Sequence, residues 1–317
     1  MKKKRILNFI FFLFACVGIL HLINRLIAYK VDEKGRLSSV PGRFYNWNGD
    51  QIFYQVKGDG KPLLLLHDLK AASSGYEWDR VITLLAKDHR VYAIDLIGCG
   101  RSAKPGLSYV AFYYVQLIQA FLRDIVRQKA DIAASNSSSA LAVSAASYSS
   151  ELIDKIVLIN PELTQPLDYG SPILNKCLPK LLQAPVIGTF IYNMIFTRSR
   201  LEADICEGLL YNPFNATDEL IENCWAGAHR GDSKGRYFYA SQLGGYLHTD
   251  PSAAYERAAN DILVIYGEAF KSKEASEAWL KEIKPEIKTE EIGKSDRLPH
   301  FEEPEKFVSA VESFLAD

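Results

Sequence analysis

Hydrophobic and polar positions divide the chain into three regimes. Residues 1–5 are basic, and from Ile6 to about Ile27 the positions are almost continuously apolar, broken only by Asn8, His21, Asn24 and Arg25. About twenty apolar residues are what a helix needs to cross a hydrocarbon layer, so the pattern predicts a transmembrane helix over 6–27, followed by a linker over 28–42. From Arg43 the pattern shortens. Phe44–Trp47 and Gln51–Val56 read as a β-ribbon turned by Asn48-Gly49, a pair suited to a tight hairpin. Pro62-Leu63-Leu64-Leu65-Leu66 is a short continuous apolar run of the kind a strand buried on both faces requires. Further strands are predicted at Arg90–Ile94, Asp131–Ala134, Lys155–Ile159 and Asp261–Tyr266, with helix-length segments between most of them. This alternation predicts an α/β fold with a mainly parallel sheet covered by helices on both faces. Between about Gln165 and Ala258 the strand rhythm stops, and runs such as Phe190-Ile191-Tyr192-Asn193-Met194-Ile195-Phe196 predict a helical cap. The expected organisation is therefore core over 43–164, cap over 165–258 and core again over 259–317.

The amino terminus admits two rival readings. A cleaved signal peptide shares the composition, but the apolar run is long and no small-residue cleavage pattern follows it. Leu13-Phe14-Ala15-Cys16 loosely resembles a lipoprotein cleavage box, yet the residues after Cys16 stay apolar. Arg25, Lys30, Lys34 and Arg36 nearly balance the leading Lys2-Lys3-Lys4-Arg5 cluster. The positive-inside rule thus leans only slightly toward an inside N-terminus and an extracytoplasmic globular domain, held as a single-pass anchor in the membrane.

Composition narrows the remaining choices. With 317 residues, 48% of them hydrophobic, the chain can bury one large core, and a formal net charge of -1 gives no pull toward nucleic acid. The five cysteines, Cys16, Cys99, Cys177, Cys206 and Cys224, form an odd set without Cys-x-x-Cys or Cys/His ligand spacing. Free thiols are expected, with no disulfide framework, no metal site and no cofactor.

Several ordered motifs then carry a resemblance. Asp95-Leu96-Ile97-Gly98-Cys99-Gly100-Arg101-Ser102 follows a strand as a DxxGxGxS loop, and His67 follows the leucine run. Lys155-Ile156-Val157-Leu158-Ile159-Asn160-Pro161 reads as a sixth strand, Gly267-Glu268 ends a seventh, and Glu302-Glu303-Pro304-Glu305 opens the last helix. From about Phe44 to the C-terminus the chain resembles the α/β-hydrolase superfamily of lipase-, esterase- and haloalkane-dehalogenase-like proteins. The resemblance implies a nucleophile elbow at Ala133-Ala134-Ser135-Asn136-Ser137-Ser138-Ser139, and there the nucleophile slot holds Asn136.

An acyl-transfer triad needs a nucleophile on a tight strand-to-helix turn, an imidazole to take its proton and a carboxylate to orient that imidazole. None of the three slots that the resemblance locates holds the required group. A carboxamide at Asn136 supplies no alkoxide, Phe270 in Gly267-Glu268-Ala269-Phe270 orients no imidazole, and Arg297, five residues before Glu302, is no general base. Asp68 replaces the glycine expected after His67, where a carboxylate is a poor neighbour for a developing oxyanion. Asparagine tolerates φ above zero unusually well, so the elbow is expected to form without its chemistry, with Asn136 in the left-handed region. Asp68 and Arg297 are expected to pair across the old site.

Displaced residues offer an alternative set: Ser135 and Ser137 beside Asn136, Glu162 after the sixth strand, and His300 three positions past the histidine slot. Their plainer readings are helix-start polar groups and a solvated loop carboxylate. The pocket beneath the cap is expected to involve His67, Asp68, Leu69, Asn136, Ser137, Tyr192, Phe196 and Trp225. The reading is a membrane-anchored pseudoenzyme that binds a small apolar ligand or a protein partner. The alternative is an active serine hydrolase or esterase working through the displaced residues. An open apolar cavity favours a ligand, and a filled one with an exposed apolar patch favours a partner.

Overall fold

Short apolar runs become strands, and their order in space follows from covering both faces of one sheet. In the computed structural model, which describes residues 2–34, 41–162 and 172–316, the strands are β1 (Arg43–Trp47), β2 (Asp50–Lys57), β3 (Lys61–Leu66), β4 (His89–Ile94), β5 (Ala130–Ser135), β6 (Ile153–Ile159), β7 (Ile262–Gly267) and β8 (Lys288–Ile292). They form one eight-stranded sheet in the order β1-β2-β4-β3-β5-β6-β7-β8. The β1–β2 hairpin and the β2–β4 pair are antiparallel, and every other pairing is parallel. The hairpin turns on Asn48 at φ 51° and Gly49 at φ 91°, as the sequence predicts.

The leucine run shows why the sheet needs two covers. Leu63 and Leu65 belong to one apolar cluster and Leu64 and Leu66 to the other, and all four are fully buried. Alternate side chains of a strand point to opposite faces, so a continuous apolar strand is stable only between two layers. One layer is α2 (Asp79–Leu85) with the C-terminal helix, and the other includes α3 (Ala111–Phe121) and α4 (Ser138–Tyr148). The cap follows β6 as α5 (Pro172–Gln183), α6 (Ile187–Ile195), α7 (Arg198–Gly208), α8 (Asp218–His229), α9 (Gly235–Leu243) and α10 (Ser252–Arg257). Helices α11 (Lys273–Ile283), α12 (Pro299–Glu302) and α13 (Pro304–Ala316) complete the core. Ile205, Leu210, Leu220 and Ile221 of the cap pack with Leu298 and Phe301 of the core in a separate cluster. The expected cap start at residue 165 lies outside the described residues.

Two elements differ from the sequence reading. Strand β8 was not anticipated, because Lys-Thr-Glu-Glu-Ile at a sheet edge leaves only Ile292 buried and shows no apolar run. The N-terminal helix α1 spans Lys2–Lys34 and therefore continues into the stretch expected to be a linker. It does so because Ala28 and Val31 are buried on one face of that helix. Residues 35–40 of that linker lie outside the described residues.

The DxxGxGxS loop proves to be structural. The Asp95 carboxylate accepts hydrogen bonds from Gly75 N–H at 2.7 Å and from Arg101 N–H and Nε at 2.7 and 2.9 Å. Gly100, at φ 46°, lies so close that a Cβ would stand 2.4 Å from Asp95 Oδ2, which is why the position is glycine. Burial alone would raise the Asp95 pKa, but the Arg101 guanidinium holds it below the ordinary carboxylate range. Because both faces of β3 are packed, Leu64→Ala is expected to cost about 2–5 kcal/mol. A denaturant titration of the full chain in detergent checks this, and a loss under about 1 kcal/mol would mean that the strand is not sandwiched as described.

Candidate functional site at the strand ends

The site is built where the parallel strands end, the position that collects loops in open α/β sheets. Strand β5 passes into α4 through Asn136 and Ser137. Asn136 has φ 47°, within the left-handed region that the elbow reading anticipates. Its N–H still bonds Ile159 C=O of β6 at 2.8 Å, so the turn stays tied to the sheet while the chain reverses. Ala134 and Ser138 are fully buried on either side, and Ser138 Oγ donates to His67 C=O at 2.5 Å.

Asn136, Phe270 and Arg297, the positions singled out by the resemblance, come together here. Asn136 Nδ2 donates to Arg297 C=O at 3.2 Å and to Ser135 Oγ at 2.8 Å, and the Arg297 guanidinium lies 5.6 Å from the Phe270 ring centroid. Three residues distant in sequence are thus neighbours in space. The contacts are now an amide to a carbonyl and a cation over an aromatic ring, and neither moves a proton.

Asp68 reorganises the other half of the site. In this fold the oxyanion is held by the backbone N–H after the nucleophile and by one from the loop after β3. Here these are Ser137 N–H, which donates to Asp68 Oδ1 at 3.2 Å, and Leu69 N–H, which donates to Ser137 Oγ at 3.2 Å. Ser137 Oγ donates in turn to Asp68 Oδ1 at 2.5 Å. Burial pushes the Asp68 pKa up. The nearby Lys70 ammonium, whose Nζ is 2.8 Å away, and the Arg297 guanidinium outweigh that effect and hold it below the ordinary carboxylate range.

The expected Asp68–Arg297 pair is corrected. The Arg297 guanidinium forms its ion pair with Glu162, while Asp68 takes the nearer Lys70 and Ser137. Glu162 is accordingly a paired carboxylate, not a solvated one. His300 does not approach Ser137. It is fully buried, stacked on Trp78 at 4.2 Å between centroids, with Nε2 3.5 Å from Glu77 Oε1. Glu77 Oε2 accepts the Asp68 N–H at 3.1 Å, while Glu77 Oε1 and His300 Nε2 make no hydrogen bond to each other. Ser135 is fully buried as an acceptor for Asn136. The displaced residues therefore do not assemble.

Between cap and core lies a cavity of about 710 Å³. Ser137 and Phe196, both expected at the pocket, line it, together with Lys70, Glu162, Arg297, His248 and the apolar Ile195, Leu201, Ile205, Leu209 and Leu247. Asp68 lines instead a small adjacent cleft of about 50 Å³. The other expected residues do not reach the cavity wall, each for a local reason. His67 is a buried strut: its Nε2 accepts Leu96 N–H at 2.9 Å, so Nδ1 carries the proton and donates to Asp68 C=O at 2.7 Å. Leu69 and Asn136 are buried beneath the floor, Tyr192 donates to Ala228 C=O at 3.0 Å inside the cap, and Trp225 packs beside Val31 of α1. Lys70 and His248 were missed. Lys70 was legible as a cation two residues from Asp68, whereas His248 sits in a cap segment without any motif.

The Arg297 loop is fastened by Asn160, whose Nδ2 donates to Asp296 C=O at 2.9 Å and whose Oδ1 accepts Gly267 N–H at 2.9 Å. Burial, and next the charge of Glu302, push the Asp296 carboxyl up to about 6. The folded state thus holds this proton more tightly than the unfolded chain. The stabilisation is complete below the ordinary value of 3.8 and is lost as pH rises through about 6. Asp296→Asn is expected to raise the melting temperature relative to the parent at pH about 8 but not at pH about 4. Thermal unfolding of both proteins across this range checks the sign, and a pH-independent difference would contradict it.

Known proteins place this geometry in context. A hydrolase of 2-hydroxy-6-oxo-6-(2'-aminophenyl)hexa-2,4-dienoic acid from Metapseudomonas resinovorans is 31% identical over 134 residues, 42% of this chain and 46% of that protein. The chain therefore matches slightly under half of that relative's length. A non-heme haloperoxidase from Rhodococcus erythropolis is 26% identical over 201 residues, 60% of this chain and 69% of its own. Among solved structures, a serine hydrolase involved in carbazole degradation superposes with a TM-score of 0.70 at 22% identity, over 87% of this chain and 98% of its own, a likeness of fold. The profile of the alpha/beta hydrolase family matches residues 63–310, and this chain belongs to that family.

Proposed function

We propose that this protein is a membrane-anchored pseudoenzyme of the α/β-hydrolase family that binds a small, mainly apolar ligand between cap and core and does not hydrolyse it. The observation that carries this reading is the occupation of both oxyanion-binding N–H groups by the chain itself, Ser137 N–H by the Asp68 carboxylate and Leu69 N–H by the Ser137 hydroxyl. Stabilising a developing oxyanion is commonly the largest catalytic term in acyl transfer, and a fixed carboxylate in its place opposes that charge. Replacement of all three triad groups supports the same conclusion. A cavity of about 710 Å³, whose wall joins an apolar patch of Ile195, Phe196, Leu201, Ile205, Leu209 and Leu247 to the charged Lys70, Glu162, Asp204, Glu207 and Arg297, suits a small-molecule ligand better than a filled cap presenting a protein-binding face. Anchoring is supported by α1, the one described helix long and apolar enough to cross a membrane, a composition that a signal sequence shares.

One observation favours a second reading, serine hydrolysis. Ser137 lines the cavity and its hydroxyl meets a carboxylate directly. Asp68 is nevertheless a weak base, because the same charges that lower its pKa reduce its affinity for the serine proton.

The full chain in detergent is expected to show no turnover of short- and medium-chain p-nitrophenyl esters, and neither is Asn136→Ser, which restores a hydroxyl but leaves Arg297 in place of a base. Turnover that disappears in Ser137→Ala would establish the second reading and refute the first. For the ligand site, Gly208 lines the cavity and an added Cβ there meets nothing within 4 Å. Gly208→Phe is therefore expected to fill the cavity at unchanged melting temperature. It should weaken p-nitrophenyl butyrate binding, followed by saturation-transfer NMR, by about tenfold or more. Equal binding by both proteins would exclude this cavity as the site.

A further inference from the structure

The N-terminal helix does not end where its apolar run ends; it docks on the cap. Asn24, Ala28 and Val31 are buried, at a spacing that puts them on one helix face, while Leu22, Leu26 and Tyr29 are more than half exposed. Asn24 is the centre of the contact. Its Nδ2 donates to Val186 C=O at 3.0 Å, and its Oδ1 accepts from Asn193 Nδ2 at 3.0 Å. Ser233 Oγ completes the relay by donating to Asn193 Oδ1 at 2.6 Å. Beside it, Arg25 pairs with Asp232 at 3.4 Å.

Both Asn24 partners on the cap belong to α6 or its entry. Val186 adopts φ 61° and ψ -63°, a γ-turn that a β-branched residue takes only under strain, closed by Ile187 N–H to Pro185 C=O at 2.7 Å. Asn24 thus holds both the strained turn that starts α6 and, through Asn193, its C-terminal half, so α6 is docked on α1 at the level of Asn24. Tyr192 and Asn193 point inward and are buried, whereas Ile187 and Met194 stand 43% and 39% exposed, with Leu181 of α5 43% exposed nearby in the chain.

The level of Asn24 is fixed by length. The span predicted over 6–27 ends within one helical turn of Asn24 and Arg25. A buried polar relay and an ion pair belong at the boundary of such a span, not in its hydrocarbon interior. A helix held at that level with an apolar outer face has the disposition of an interfacial membrane element.

We propose that the outward face of α6, carried by Ile187 and Met194, seats in the headgroup–acyl boundary of the bilayer that α1 crosses, making the cap a second membrane contact. The inference rests on the reading of α1 as a membrane span. It also gives the cavity a setting, since Ile195 and Phe196, at the end of the same helix, form part of its wall. The lipid-facing helix is then also a wall of the ligand site.

The test uses the full chain in phosphatidylcholine nanodiscs, with the photoreactive residue p-benzoylphenylalanine placed singly at Ile187, Met194, Phe14 or Phe112. Phe14 is 73% exposed within the proposed span, and Phe112 is an exposed aromatic of the core, at 54%. Lipid adducts at Ile187 and Met194 within about threefold of those at Phe14, and at least about tenfold above Phe112, are the expected result. Adducts at Phe14 alone would overturn the α6 contact and leave the span intact. Adducts at none of the positions would remove the span, and with it the inference. Each variant is compared with the parent by melting temperature, so that loss of an adduct is not loss of fold.

Discussion

One backbone conformation governs the site. To pass from the C-terminal end of β5 into α4 without leaving the sheet, the chain needs a residue at positive φ, and Asn136 provides it at 47°. Its N–H stays on Ile159 while the residues that follow start a helix. Among side chains other than glycine, asparagine tolerates this region best, so a carboxamide can hold the turn in this shape. The Arg297 loop and the serines at the start of α4 are both tied to it. Because the turn persists, the family's fold persists around a changed centre.

What has changed is the electrostatics. An acyl-transfer site offers N–H groups to a transient negative charge and keeps a neutral base beside the nucleophile. This site supplies a permanent negative charge in Asp68 and answers it with Lys70 and Arg297. A second ion pair, Arg297 with Glu162, offsets one further charge of each sign at the cavity wall. Each charge has a partner, so the arrangement is stable at rest, and it leaves no donor pair aimed at a reacting carbonyl.

Alignment with the family was legible because its most specific signals are structural. Asp95, Gly100, Arg101 and Ser102 form a closed hydrogen-bonded loop, with Ser102 Oγ donating to Asp95 C=O at 2.5 Å and accepting Phe53 N–H at 2.8 Å. Such a loop demands particular residues at particular spacing whatever the chemistry nearby. The positions of Phe270 and Arg297 were then counted from Gly267 and from Glu302, and that of Asn136 from the strand-to-helix turn after β5. Strand β8 was not legible, because an edge strand buries one residue and needs no apolar pattern. The continuation of α1 past residue 27 was also hidden, since Ala28 and Val31 are unremarkable until the cap lies against them.

By itself, then, the sequence determined the α/β fold, the approximate strand positions and the left-handed turn at Asn136. These depend on periodicity and on the φ preference of single residues, both local properties. Only the tertiary structure decided the pairings: Arg297 with Glu162 and not Asp68, Asp68 with Ser137 and Lys70, His300 against Trp78 and Glu77, and Asn24 with the entry to α6. Charges and hydrogen-bonding groups select whichever partner the packed elements bring within reach. Neighbours distant in sequence become near only when the sheet and cap are assembled.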